Sequence, residues 1–173
     1  MSGPRKLTLA VAVVLLTAAS PRPAVSLARN APQFSLPDLA GRRLSLSSLR
    51  GHIVIVNFWA TWCEPCMFEI PGLAAFWRQH HSRCLEVLGI AEDFDDQYIV
   101  AGAATHLQIP YPVLLDSDGL VADSYHVPGY PITYVIDARG KVRRVFDGVV
   151  TEKELEAVVT PLLPVSPGTC PTR

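Results

Sequence analysis

The chain has little charge and almost no excess of either sign: 15 Lys and Arg stand against 16 Asp and Glu in 173 residues, a formal net charge of −1. No basic run occurs anywhere, which removes the electrostatic footprint of a nucleic-acid or anionic-membrane binder. There is no internal repeat and no low-complexity tract, which removes solenoids and repeat arrays. Cysteines number only four, and Cys63–Cys66 is the sole CxxC. A structural zinc site needs four ligands at workable spacing, and His80 and His81 are adjacent rather than three to five residues apart. His52, His106 and His126 stand alone and read as surface or loop residues, so no metal and no other cofactor is expected. Long apolar runs are missing too. The uncharged stretch 7–19 holds thirteen residues, which as a helix would cover only ~20 Å of a ~30 Å hydrocarbon core.

That short run has a meaning of its own. Arg5 and Lys6 precede it, and "SPRPAVSLARN", rich in proline and small residues, follows it. Basic end, apolar core and small-residue tail are the parts of a secretory signal. Ser26-Leu27-Ala28 offers a cleavage site, with Ala18-Ala19-Ser20 as a second, and an uncleaved N-terminal anchor is the other form. Residues 1–28 are therefore expected to be a signal peptide or anchor, 31–164 one domain, and 165–173 a loose C-terminal tail. Loss of Arg5, Lys6 and Arg22 takes the formal charge from −1 to −4. Export places the protein in the periplasm or on the outer face of the membrane, where disulfides persist.

The domain's pattern predicts alternating elements. "HIVIVNFWA" (His52–Ala60) is a continuous β-branched run, the mark of a strand covered on both faces. From Cys66, the residues Ile70, Leu73, Ala74 and Trp77 form one helical stripe, in which Pro71 should introduce a kink. Cys84–Ala91 reads as a second buried strand. Asp95 or Asp96 can cap a helix to about Leu107. Tyr111–Asp116 is a short strand before the turn Asp118-Gly119. Ile132–Asp137 and Val142–Gly148 form a hairpin, and Thr151-x-x-Glu154 is a capping box opening a last helix. Upstream, "FSLPDLAGRRLSLSSL" alternates around Gly41 and suggests a small hairpin. The order is hairpin, β-α-β, an inserted α-β, then β-β-α: an α/β domain with a mixed sheet and helices on both faces.

The CxxC falls where that strand meets that helix. A Cys63–Cys66 bond closes too small a loop to be an effective staple, but the placement suits a reducible disulfide. Cys63 at the helix start meets unpaired N–H groups and the positive end of the dipole, which favour a thiolate. Cys66, on the apolar stripe one turn later, is buried and protonated. One attacking and one resolving sulfur is the layout that thiol–disulfide exchange requires. Glu64 opposes the thiolate moderately, and Pro65 pre-sets helical φ.

"VIVNFWATWCEPCMFEIPGL" with "GYPITYVIDARGKV" resembles the thioredoxin-like TlpA/ResA family of exported thiol–disulfide oxidoreductases, over roughly Ala31 to Leu163. The resemblance implies a thioredoxin fold, Cys63 as nucleophile, Cys66 as resolver, and Pro131 as a cis-proline facing the disulfide, with Tyr130 offering its backbone to substrate. It implies Trp62 as an aromatic cover and docking face beside Glu64 and Pro65, with Trp59 in the same flank. Glu92 matches a family glutamate that accepts the Cys66 proton, while Glu69 matches an acidic helix position given a surface role. Asn57 stands where thioredoxins proper have a buried aspartate, and it cannot take a proton. Ile132 replaces the usual small hydroxyl residue after the proline, and no GxPE-type segment is present, which weakens a narrow cytochrome-maturation assignment.

The implied partners are exported proteins with cysteines, apocytochrome c or a copper-site protein being examples. A membrane thiol reductase is the expected electron donor, the target disulfides are reduced rather than made, and the protein acts as a monomer without nucleic acid. In this topology Cys84 and Cys170 both fall at the end of the sheet remote from the CxxC, and a folded-back tail lets them form a structural disulfide. A peroxidatic cysteine is excluded, because its Pro-x-x-x-Thr-x-x-Cys pattern meets Val56 and Ala60 here. A copper-binding thiol module of the same fold remains the alternative.

Overall fold

The computed structural model describes residues 29–93, 96–164 and 170. The expected signal segment, the alternative cap Asp95 and the tail apart from Cys170 lie outside the described residues. Among these residues no helix is long and apolar enough to cross a membrane.

A two-stranded antiparallel hairpin, β1 (Ser35–Pro37) and β2 (Arg43–Ser45), leads into the main sheet. Gly41, at φ +79°, supplies the left-handed residue of its turn. The main sheet holds β3 (Ile53–Trp59), β4 (Leu85–Ala91), β5 (Val113–Leu115), β6 (Ile132–Ile136) and β7 (Val142–Asp147), in the spatial order β5-β4-β3-β6-β7. β3, β4 and β5 run parallel, while β6 and β7 are antiparallel additions. This is the thioredoxin fold. All seven residues of β3 are buried, as its unbroken apolar run requires of a central strand covered twice.

The two faces follow the period-2 alternation of β3. Val54, Val56 and Phe58 pack with Phe34, Leu36 and Tyr125 on one face. Ile53 and Ile55 pack on the other with Leu73, Phe76, Leu155 and Val159. The latter four come from α1 (Glu64–His80) and α4 (Glu152–Val159), and α2 (Gln97–His106) closes the same side. Asp96 caps α2 by accepting from Tyr98 N and Ile99 N, and Thr151 and Glu154 form the expected capping box on α4.

Three local expectations need correction. A short helix, α3 (Leu120–Tyr125), follows the Asp118-Gly119 turn. Asp116 makes it possible: its carboxylate, at the end of β5, accepts from Val121 N and Ala122 N and caps the helix from a distance in sequence that local signals do not reveal. Cys84 is outside β4, in the left-handed conformation at φ 57°. His52 lies in the loop before β3, as one of the two expectations had it, but it is buried at 6% exposure rather than on the surface, because it leads directly into the buried strand.

Candidate functional site

β3 ends at Trp59, and the next four residues turn the chain into α1. Cys63 N–H donates to Ala60 O at 3.1 Å, and Thr61 is clasped by Asp93 at the end of β4 through N–H (3.0 Å) and hydroxyl (2.5 Å). The turn is thereby fixed to two strands before the helix begins. Cys63 is the N-cap of α1, and its Sγ accepts the Cys66 N–H at 3.3 Å. The sulfur therefore occupies the place a serine or aspartate oxygen takes in ordinary caps, where helix N–H groups stabilise negative charge. Cys63 and Cys66 are joined as a disulfide, with Cys63 5% exposed and Cys66 fully buried. Glu64 and Pro65, in the first turn, face solvent.

Beside the disulfide, the Tyr130–Pro131 peptide bond is cis. Pro131 O accepts from Gly148 N at 3.0 Å, whereas neither the N–H nor the C=O of Tyr130 has a backbone partner among the described residues. Tyr130 packs against the cluster that contains both cysteines. Trp62 meets its ring edge-on at 5.6 Å and remains 68% exposed. An exposed indole next to a buried disulfide forms an apolar rim rather than a lid.

Two buried carboxyl groups flank the pair. Glu69 lies three residues past Cys66, on the same side of α1. Its expected surface role does not hold, because it is only 3% exposed and points at the sheet. Oε2 accepts from Asn57 Nδ2 at 2.8 Å and Oε1 from Val150 N at 2.7 Å. Burial pushes its pKa up to about 7 against the pull of those two donors. The same Asn57 Nδ2 also donates to Thr133 Oγ1 at 2.9 Å. The sequence signal for this cluster was present in Asn57 itself, a polar residue in the middle of an apolar strand that demands buried partners.

Glu92 follows β4, fully buried, its N–H bonded to Trp59 O at 2.9 Å. Its carboxyl group meets those of Asp116 and the Tyr130 hydroxyl. Burial first, then the negative charge of Asp116, pushes its pKa up to about 9. It therefore carries a proton at neutral pH, beside Asp116, whose carboxyl group already holds the start of α3. Asp116 is the functional neighbour that sequence reasoning missed.

Of the residues singled out from sequence, Cys63, Cys66, Trp62, Glu64, Pro65, Tyr130, Pro131 and Glu92 all lie at this end of the sheet. Cys84 and Cys170 are bonded to each other, with Cα atoms 5.2 Å apart. His80 is at the far end of α1, where Nε2 meets Glu156 Oε1 at 2.8 Å. Among the described residues no group of three or more His, Cys, Asp or Glu is arranged to hold a metal ion.

The AhpC/TSA family model matches residues 27–145. The chain is 37% identical over 128 residues to the thiol-disulfide oxidoreductase ResA of Bacillus subtilis, covering 74% of this chain and 71% of that protein. Its structure superposes on a thioredoxin-family thiol:disulfide interchange protein from Chlorobium tepidum with a TM-score of 0.70 at 31% identity, over 83% and 99% of the two chains. A secreted Mycobacterium tuberculosis disulfide oxidoreductase gives 0.68 at 25% identity, over 75% and 96%.

Proposed function

The chain belongs to the AhpC/TSA family as a thioredoxin-fold thiol–disulfide oxidoreductase, and on that premise we propose that it reduces disulfides of exported proteins outside the cytoplasm. The observation that carries this reading is Cys63 as the N-cap of α1, its sulfur accepting the Cys66 N–H, with a buried carboxyl group one turn away.

In the dithiol form Cys63 is the thiolate, favoured by the helix start. It attacks a substrate disulfide, forming the mixed disulfide and expelling one substrate thiolate. Cys66 then loses its proton and attacks Cys63 Sγ, releasing the second substrate thiolate and leaving the Cys63–Cys66 disulfide. The Cys66 proton goes to Glu69. Its pKa of about 7 lets it accept and return a proton near neutrality. Glu69 returns that proton when Cys66 leaves as thiolate during recharging, while Glu92, protonated at neutral pH, keeps the second carboxyl group beside the pair uncharged. Tyr130 offers its unpaired backbone N–H and C=O to an extended substrate segment at Pro131, while Trp62, beside Glu64 and Pro65, supports its apolar side chains.

The basic and apolar start of the sequence supports export, by a cleaved signal or a retained anchor, into the disulfide-permissive compartment. The substrates are cysteine-containing exported proteins, and electrons come from a membrane dithiol. A redox titration of the Cys63–Cys66 pair tests the direction. A reductant poises at roughly −230 mV or lower, whereas a value near −120 mV would make the protein an oxidant.

A further inference from the structure

Asn57 lies on β3 opposite Gly89 of β4 and Thr133 of β6. Its fully buried amide is satisfied on one side only. Nδ2 donates to both Glu69 and Thr133, whereas Oδ1 is buried without a hydrogen-bond partner among the described residues. That arrangement fits an ionised Glu69, which offers acceptors alone. A protonated Glu69 has an O–H to give and needs an acceptor where Nδ2 now stands. The two ends of an amide have nearly the same shape, and a threonine hydroxyl both donates and accepts. Asn57 and Thr133 are therefore a matched pair able to serve either state of the carboxyl group.

We infer that Asn57 is a positioning residue whose amide turns over with the proton on Glu69. It presents Nδ2 to Glu69 and Thr133 when the carboxyl is ionised, and Oδ1 when it is protonated. The proton leaves the Cys66 thiol and binds a Glu69 oxygen. An O–H···Oδ1 bond then replaces N–H···O⁻, and the Thr133 hydroxyl changes from acceptor to donor. One amide atom faces the unpartnered side in both orientations, the carbonyl oxygen when Glu69 is ionised and the NH₂ group when it is protonated. An aspartate at this position would confront ionised Glu69 with a second acceptor and could not do this.

The turn-over carries the proton state into the substrate-facing backbone. Thr133 is two residues past Pro131, and the other oxygen of Glu69 holds Val150 N–H, two residues past the Gly148 that bonds Pro131 O. The groups facing Glu69 are Asn57 from β3, Thr133 behind it on β6, the Val150 N–H before α4, the Tyr111 phenol before β5, and Cys66 from its own helix when reduced. No cation stands among them. A pKa near neutrality lets the amide turn within the working range.

This inference rests on Glu69 as acceptor of the Cys66 proton, and the experiment separates the two. NMR of the full-length reduced protein, labelled with ¹³C and ¹⁵N, follows the Asn57 amide and the Glu69 carboxyl carbon from pH 5 to 9. Expected are contacts from the Asn57 NH₂ protons to the Thr133 side chain above about pH 8 that vanish below about pH 6, with the midpoint of the Glu69 titration. An unchanged contact pattern while Glu69 titrates, or a Glu69 that does not titrate in this range, overturns the inference. Asn57→Leu should move the Glu69 midpoint upward by about one pH unit, the size of one charge-assisted hydrogen bond. A merely structural role would lower stability and leave the midpoint in place, and if the variant does not fold, the wild-type spectra decide. Turn-over without any matching step in Cys66 reactivity would sustain the switch and dismiss Glu69 as the Cys66 acceptor.

Discussion

At the scale of single residues, the site separates two sulfurs three positions apart by burial and by the helix start. Cys63 caps the helix and Cys66 has no exposed surface. Alkylation of the reduced protein at pH 7 should therefore label Cys63 at least tenfold faster, and Cys66→Ser should accumulate a mixed disulfide with substrate. Equal labelling rates would remove Cys63 as nucleophile. The two buried carboxyls differ in what a neutral amide does to them. Glu69→Gln abolishes a group that must ionise near pH 7 and should slow exchange by roughly 10- to 100-fold. Glu92→Gln resembles the protonated form already present, so it should cost only a few-fold at pH 7 and erase an inflection near pH 9. Both folded-state values are raised above the 4.5 of a free glutamate. The native state thus keeps protons that the unfolded chain has lost, and stability falls as pH rises from about 5 through 7 toward 9. Chemical denaturation should find the protein most stable near pH 5. Glu92→Gln should recover several kcal/mol at pH 9, about 5 by linkage, and a flat profile in the wild type would refute the burial of these charges.

At the scale of elements, the helix ends were readable where the cap is local and hidden where it is not. Thr151 and Glu154 lie within one turn of α4, so the motif was visible in four residues. Thr151→Ala should destabilise the fold by about 1 kcal/mol without changing the thiol chemistry, a loss that urea denaturation would register. For α3 the cap comes from Asp116, on the far side of the Asp118-Gly119 turn, and the helix is too short for periodicity to announce it. The loop before α4 shows the same division. Nothing local in "GVVTEKE" says that Val150 N–H is bonded to a helix residue 81 positions earlier.

At the scale of the molecule, the catalytic disulfide and the Cys84–Cys170 bond sit at opposite ends of α1 and β4. The second closes a separation of 86 residues, which in the chain-entropy model stabilises by roughly 4–5 kcal/mol less any strain in the native state. Cys170→Ser should lower the melting temperature by several degrees and leave reduction by Cys63 and Cys66 intact. An unchanged melting curve would show that the bond contributes nothing to the fold. Selective reduction follows from the same separation: the catalytic bond should open first under mild dithiol, since the Cys84–Cys170 pair lies away from the docking rim.

The sequence alone determined the frame. An unbroken β-branched run can only be a doubly covered strand, and a CxxC at the following helix start can only place one sulfur on the dipole and the other in the core. From those local constraints came the order of elements and the division of labour between Cys63 and Cys66, whereas the thioredoxin fold and the role expected of Pro131 came from the family resemblance. Only the tertiary structure decided the charges. Glu69 reads as surface because glutamates usually are, and its helix stripe does not reveal that a strand amide and a loop N–H converge on it. Glu92 and Asp116 are 24 positions apart, and the second raises the pKa of the first only because β4 and β5 pair side by side. Periodicity reports which face a side chain takes, but a pKa depends on which distant groups meet it there, and that is settled by packing.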